Sequence, residues 1–168
     1  MNFKRVGDKA EKIFIPVKND EPSATIKIGS PIVFSFDGTD DGVAVVLPST
    51  AVAAMQAAAS VGIMAGDITP GVTGQAQVYG LCLSTRVVRA TRALPTDPWP
   101  AAAAVTAKGL QLTMDVVNNA FTVGAAATGK VSVLLAQQIP AYAGGPAAVG
   151  DTSLALIVLV KSFVRMLG

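Results

Sequence analysis

At 168 residues the chain is long enough for one domain with a real core or two very small ones. It is 51% hydrophobic but only 5% aromatic and 14% charged, against about 25% charged in a typical soluble domain, and 28 positions are Ala, so part of its surface is expected to be covered by other subunits or another protein. A net charge of +2 is too small to argue for nucleic acid; the absence of His removes the commonest general base, metal ligand and pH switch; and one cysteine, Cys82, excludes an internal disulfide, a Cys-based zinc site and a Cys-His nucleophilic pair.

Residues 1–12, MNFKRVGDKAEK, read as a charged arm ahead of one β-rich domain over 13–168. The arm carries Lys4, Arg5, Lys9 and Lys12 and lacks the apolar segment of a signal peptide. IFIPV, 13–17, is apolar and extended, and Pro16 cannot donate to a central ladder, which predicts an edge strand. ATIKIGS alternates as a strand with Ile26 and Ile28 on one face, and PIVFSF follows it. FDGTDDG, 36–42, is a turn sequence, after which VAVVL resumes strand. STAVAAMQAAAS differs in kind: Ala, Met and Gln favour helix, Ser49 or Thr50 can cap it, and a short helix is expected over about 49–60.

Next comes AGDITPGVTGQAQVYGLC, 65–82. It has glycines enough for a phosphate loop but lacks the Gly-Lys-Ser/Thr that opens a helix, and Gln75 to Val78 alternate as a strand. Pro70 and Gly71 fit the central positions of a type II turn, with Gly71 at positive φ. A strand is expected over 75–91 with a break at Gly80, and Cys82 as a small buried hydrophobe within it. RALPTDPWPAAAA is read as an irregular surface loop, with Trp99 between two prolines. Asn118-Asn119 marks a hairpin, KVSVLLAQQI a strand, AYAGGPAAVGD a loop, and SLALIVLVKSFVRML a closing strand. Its apolar run, 154–160, is far shorter than the ~20 residues of a membrane helix. Roughly eight to ten strands with short connections predict an all-β barrel or sandwich, and without βαβ alternation a parallel sheet is not expected.

No catalytic constellation emerges. Asp37, Asp40 and Asp41 lack the Glu that ends a calcium loop, and no Gly-x-Ser-x-Gly elbow occurs. Asp115 interrupts LTMDVV, but alternation puts it on a solvent face. The densest positive run is RVVRATR. Strand alternation sends Arg86 and Arg92 to one face and Arg89 to the other, which splits the patch, and no exposed aromatic run offers base stacking. A solvated strand end, or a contact to an acidic partner, is the expected role.

GSPIVFSF, then VGIMAGDITPGVTGQAQVYGLC, then VGAAATGKVSVLLAQ resemble the pattern of small tailed-phage head decoration proteins, the capsid cement proteins. Gly29 to Val33 match the first element; Gly62-Ile63, Gly71 to Gly74 and Gln77 to Gly80 match the second. The likeness covers about residues 28–138 and rests on glycines of structural type. It implies a β-barrel or sandwich that trimerises on the outer capsid surface, clamps the major capsid protein, and performs no chemistry with any metal or cofactor. Contacts to capsid or sister subunits are then expected from Lys4, Arg5, Ile13, Phe14, Arg86, Arg89, Arg92 and Trp99, with no nucleic acid or membrane partner. The alternatives are another phage structural β protein, such as a tail-tube, head-completion or fibre-base subunit, or a ligand-binding barrel.

Overall fold

The structure, a computed structural model, describes residues 12–35, 43–48, 60–123 and 131–166. They form nine strands: β1 (Ile13–Asn19), β2 (Pro31–Phe34), β3 (Ala44–Val46), β4 (Ser60–Met64), β5 (Thr73–Thr91), β6 (Gln111–Asp115), β7 (Ala120–Val123), β8 (Val131–Leu135) and β9 (Ala155–Met166). No helix occurs among the described residues. The helix expected over 49–60 lies outside them except for Ser60, which opens β4. The arm, Lys12 apart, and the 36–42 turn also lie outside.

The strand order is β1-β3-β2-β4-β5-β7-β6-β8-β9, with β1–β5 and β5–β9 pairings added. The chain is therefore all-β, and the first addition closes β1, β3, β2, β4 and β5 into a five-stranded barrel. By the same logic β5, β7, β6, β8 and β9 close a second ring of five strands. β5, 19 residues long, belongs to both. An odd ring cannot alternate strand direction all the way round, so each needs a parallel seam. These seams are β1–β3 and β5–β7, and every other pairing is antiparallel. The sheet is thus not a parallel one, as expected, and its two parallel seams follow from this parity, which no local pattern signals.

Each barrel has its own core. Val17, Ile26, Ile32, Val45, Met64, Ile68 and Ala76 fill the first. Cys82, Val87, Leu112, Phe121, Val133, Leu135, Val160 and Val164 fill the second, joined by Ile63 from β4. Cys82 is the buried strand residue its small apolar side chain predicts.

The β5 strand begins at the turn read from Pro70-Gly71. Val72 N–H donates to Thr69 C=O at 3.1 Å and Gly71 has φ +74°, the type II geometry. The break expected at Gly80 does not occur, since β5 is continuous from Thr73 to Thr91; Gly80 instead takes φ +96° where β5 passes from one barrel to the other. ATIKIGS is not a strand: Ile26 makes a single bridge to Ile68, and Ser30 N–H turns back to Lys27 C=O. IFIPV is the edge that Pro16 predicts, paired along one side only, since β1 meets β3 no earlier than Lys18. β1 pairs with β5 from Ile13 to Lys18, while Lys18 and Asp20 donate to Val43 and Val45 at the β3 seam. Pro16 shares their parity but lies beyond the reach of β3, so its missing N–H interrupts no ladder.

Candidate functional site

Arg86, Arg89 and Arg92 lie in or directly after the second-barrel half of β5, and the fold gives each a different fate. A register shift between Val88 and Ala90 resets the alternation. Arg92 joins the buried parity of Ala90, while Arg86 keeps that of the half-buried Val88. The shared face expected for Arg86 and Arg92 is thereby overturned by one extra residue in the strand.

Arg89 ties down two loop segments. Residues 99–105 and 139–145 run antiparallel and bridge at Trp99–Gly145, Ala102–Tyr142 and Val105–Ile139. Both N–H···O=C bonds of each bridge form, at 2.7 to 3.1 Å. Contact at every third residue is the period of a polyproline II helix, not the two-residue period of a β-ladder. The local prolines Pro98, Pro100, Pro140 and Pro146 favour that backbone. Arg89 Nη1 donates to Ala103 C=O and Nη2 to Ala102 C=O, each at 3.0 Å, and Nη2 also donates to Pro140 C=O. A planar fork suits such a fan of carbonyls. At the end of the pair Gly144 has φ +81°, and a Cβ there would sit 2.7 Å from Trp99 C=O, so only glycine permits the approach.

Arg92 closes the same region. Its Nε donates to Ser153 C=O at 2.7 Å, Nη1 to Asp97 C=O at 3.1 Å and Nη2 to Asp151 C=O at 2.9 Å, with the Asp151 carboxylate 3.1 Å away. Its guanidinium carbon lies 4.2 Å from the centroid of the Trp99 ring. The backbone N–H of Ser153 holds the Asp151 carboxyl below the ordinary carboxylate range, aided by the Ser153 hydroxyl and by the charge of Arg92. Arg92 and Trp99 are each only 7% exposed. Both are buried within the chain, while most of the loop around Trp99 is exposed and irregular, as its prolines predict.

Arg86 is the exception. Its backbone N–H reaches Gly29 C=O at 3.0 Å, but its Nε is buried with no acceptor among the described residues. The side chain lines a cleft of about 370 Å³ with Ile28, Trp99, Asp151, Leu156, Ile157 and Leu159. Asp67 lies near enough for the charge of Arg86 to act on it, but its oxygens are engaged by Ile28 N–H at 2.7 Å and Lys27 Nζ at 3.0 Å. The Ile28 bond, then Lys27, hold the Asp67 carboxyl below its usual range.

A second surface surrounds the waist between the barrels. Ile13 is the register partner of Tyr79, and the Tyr79 ring meets Phe163 edge-on at 5.7 Å. Phe14 and Leu83 line one cleft of about 310 Å³. Ile13, Phe14, Tyr79 and Leu83 are all exposed, and of these only Ile13 and Phe14 were expected from the sequence as contact residues. Tyr79 and Leu83 read as ordinary strand residues, since nothing in β5 alone tells which side a second barrel covers. Lys4 and Arg5 lie outside the described residues.

Asp115 caps the β6–β7 turn: its Oδ1 accepts from Val117 and Asn118 N–H at 3.1 Å and its Oδ2 from Asn118 Nδ2 at 2.8 Å. Among the described residues no three His, Cys, Asp or Glu side chains group as metal ligands, and no helix is long and apolar enough to cross a membrane. No protein-family model, curated protein or solved structure matches the chain.

Proposed function

We propose that the chain is a structural virion subunit, a decoration protein that sits on the outer surface of a tailed-phage capsid as a homotrimer and braces the lattice of the major capsid protein. The observation that carries this reading is the exposed apolar waist of Ile13, Phe14, Tyr79 and Leu83, held on β1 and β5 where the two strands pair. Large exposed apolar groups on a rigid frame favour a partner surface. The resemblance adds to it, since its glycines shape the first barrel and the junction from which the waist emerges. The mechanism is attachment: modest contacts repeated over a closed lattice sum by avidity.

Light scattering after size exclusion tests the assembly, with three copies of the 17.0 kDa chain expected in the particle. Sedimentation with capsids of the cognate major capsid protein tests docking. Phe14→Glu and Leu83→Glu should lower trimer content or capsid occupancy while leaving the thermal transition nearly unchanged, because both side chains are exposed in the single chain. A stable monomer that ignores capsids sinks the proposal. Hexameric rings or tubes would favour a tail-tube subunit instead.

A further inference from the structure

We infer that the outward face of the β5–β9 ladder docks an acidic stretch of a partner protein, one in which Asp or Glu side chains alternate with apolar ones. This deepens the reading of the waist as a contact surface and rests on it. Register fixes what the face carries. Tyr79 stands opposite Arg165, Leu81 opposite Phe163 and Arg86 opposite Leu159. Between them Cys82 pairs with Ser162 and Thr85 with Val160, and these four are buried. The register shift between Cys82 and Thr85 leaves Leu83 and Ser84 without a β9 partner, opposite Lys161. Leu83 and Leu159 are each more than half exposed, and Lys161 is exposed as well.

The charge on this face has one sign. β5 and β9 contain no Asp or Glu. Lys12 extends the cationic surface at the waist, where it lines a cleft with Phe14 and Leu83. Neither Lys12 nor Lys161 has an acidic partner among the described residues. The acids that border the face, Asp67 and Asp151, are paired already with Lys27 and Arg92, so they leave the two lysines uncompensated. Apolar groups of this size beside unpaired cations complement apolar groups beside carboxylates. The spacing selects a protein. Leu159, Lys161 and Phe163 follow one another at the two-residue period of a strand. A polypeptide with alternating acidic and apolar side chains repeats that period, with a leucine contact between the charges. A polyphosphate chain offers charge at every step and nothing apolar for Leu83 and Leu159 to meet.

The test titrates three pentapeptides into the ¹⁵N-labelled full chain: acetyl-Leu-Glu-Phe-Glu-Leu-amide and its counterparts with Gln or Lys in place of Glu. The amides of Leu83, Leu159 and Lys161 should shift saturably with the Glu peptide. At low salt it should bind roughly fivefold tighter than the Gln peptide, and the difference should close near about 1 M salt. Lys161→Glu should reverse the order, so that the Lys peptide binds better than the Glu peptide. Leu83→Ser should weaken all three alike. Both positions are exposed, so the remaining amide signals should stay in place and report an intact fold. Equal binding of the three peptides, amides that do not move, or an order unchanged in Lys161→Glu overturns the inference. So does a response of the same amides to octathymidylate, or to vesicles holding phosphatidylglycerol, when the Glu peptide leaves them unmoved. Because the peptides need no capsid, a chain that shows the expected order yet ignores capsids loses the virion assignment and keeps the surface.

Discussion

The guanidinium of Arg92 sits over the indole of Trp99, 4.2 Å from the ring centroid, and ties that ring to the 151–153 segment more than fifty residues further along the chain. Cation–π attraction is worth most where water is excluded, and both residues are buried. Arg92→Ala should therefore destabilise the protein by roughly 3 kcal/mol, read from urea unfolding. Arg92→Lys should recover little of it, because a single ammonium cannot reach three divergent carbonyls and keep the ring contact. Full recovery by lysine would show that charge alone matters here.

Glycine substitutions separate strain from crowding. At Gly71 a methyl group meets open space, so Gly71→Ala costs only the positive φ, about 1 kcal/mol. Gly144→Ala adds a methyl 2.7 Å from Trp99 C=O and 3.0 Å from Ala101 N, and should cost roughly 3 kcal/mol or more. Thermal melts of the two variants side by side give the comparison; equal shifts would deny the close approach of 99–105 and 139–145.

Thr85 and Ser162 share a hydroxyl–hydroxyl bond of 2.5 Å between β5 and β9, and both are fully buried. Thr85→Val strands the Ser162 hydroxyl and should cost about 1–2 kcal/mol. Adding Ser162→Ala removes the stranded group, so the double variant should be less destabilised than the sum of the singles. Strict additivity in the cycle contradicts the pairing.

Stability should fall at acid pH. Asp67 and Asp151 have carboxyl groups held below the ordinary value of 3.8. A depressed folded-state pKa contributes stability that is present above the unfolded value and lost as pH falls through the folded one. The melting temperature should thus hold at mildly acidic pH and drop below about pH 4. Asp67→Asn should shallow that drop in a pH series of melts, and an unchanged slope would leave the Ile28 and Lys27 contacts without energetic weight.

Much of the local structure is legible in the residues themselves. The Pro70-Gly71 turn, the Asn118-Asn119 hairpin and the burial of Cys82 follow from φ preferences and side-chain size, which are properties of a residue and its near neighbours. Asn119 even takes the positive φ of 49° that Asn tolerates. The fate of the arginines was not legible. RVVRATR predicts a split patch by simple alternation, and one bulge between Val88 and Ala90 undoes it. The bridges made by the Trp99 loop were not legible either, because they join a partner segment about forty residues away, with a three-residue period that no strand template matches.

An all-β chain with turns at Pro70-Gly71 and Asn118-Asn119 follows from the residues alone, because turns and alternation are short-range demands on backbone and solvent. That β5 closes two barrels, that Arg92 and Trp99 lie inside, and that Arg86 borders a cleft are outcomes of the closed sheet. Those outcomes depend on register and on pairings such as Arg92 with Asp151, 59 positions apart. Such long-range contacts are set by the closure of the whole sheet and leave no periodic trace in any one segment.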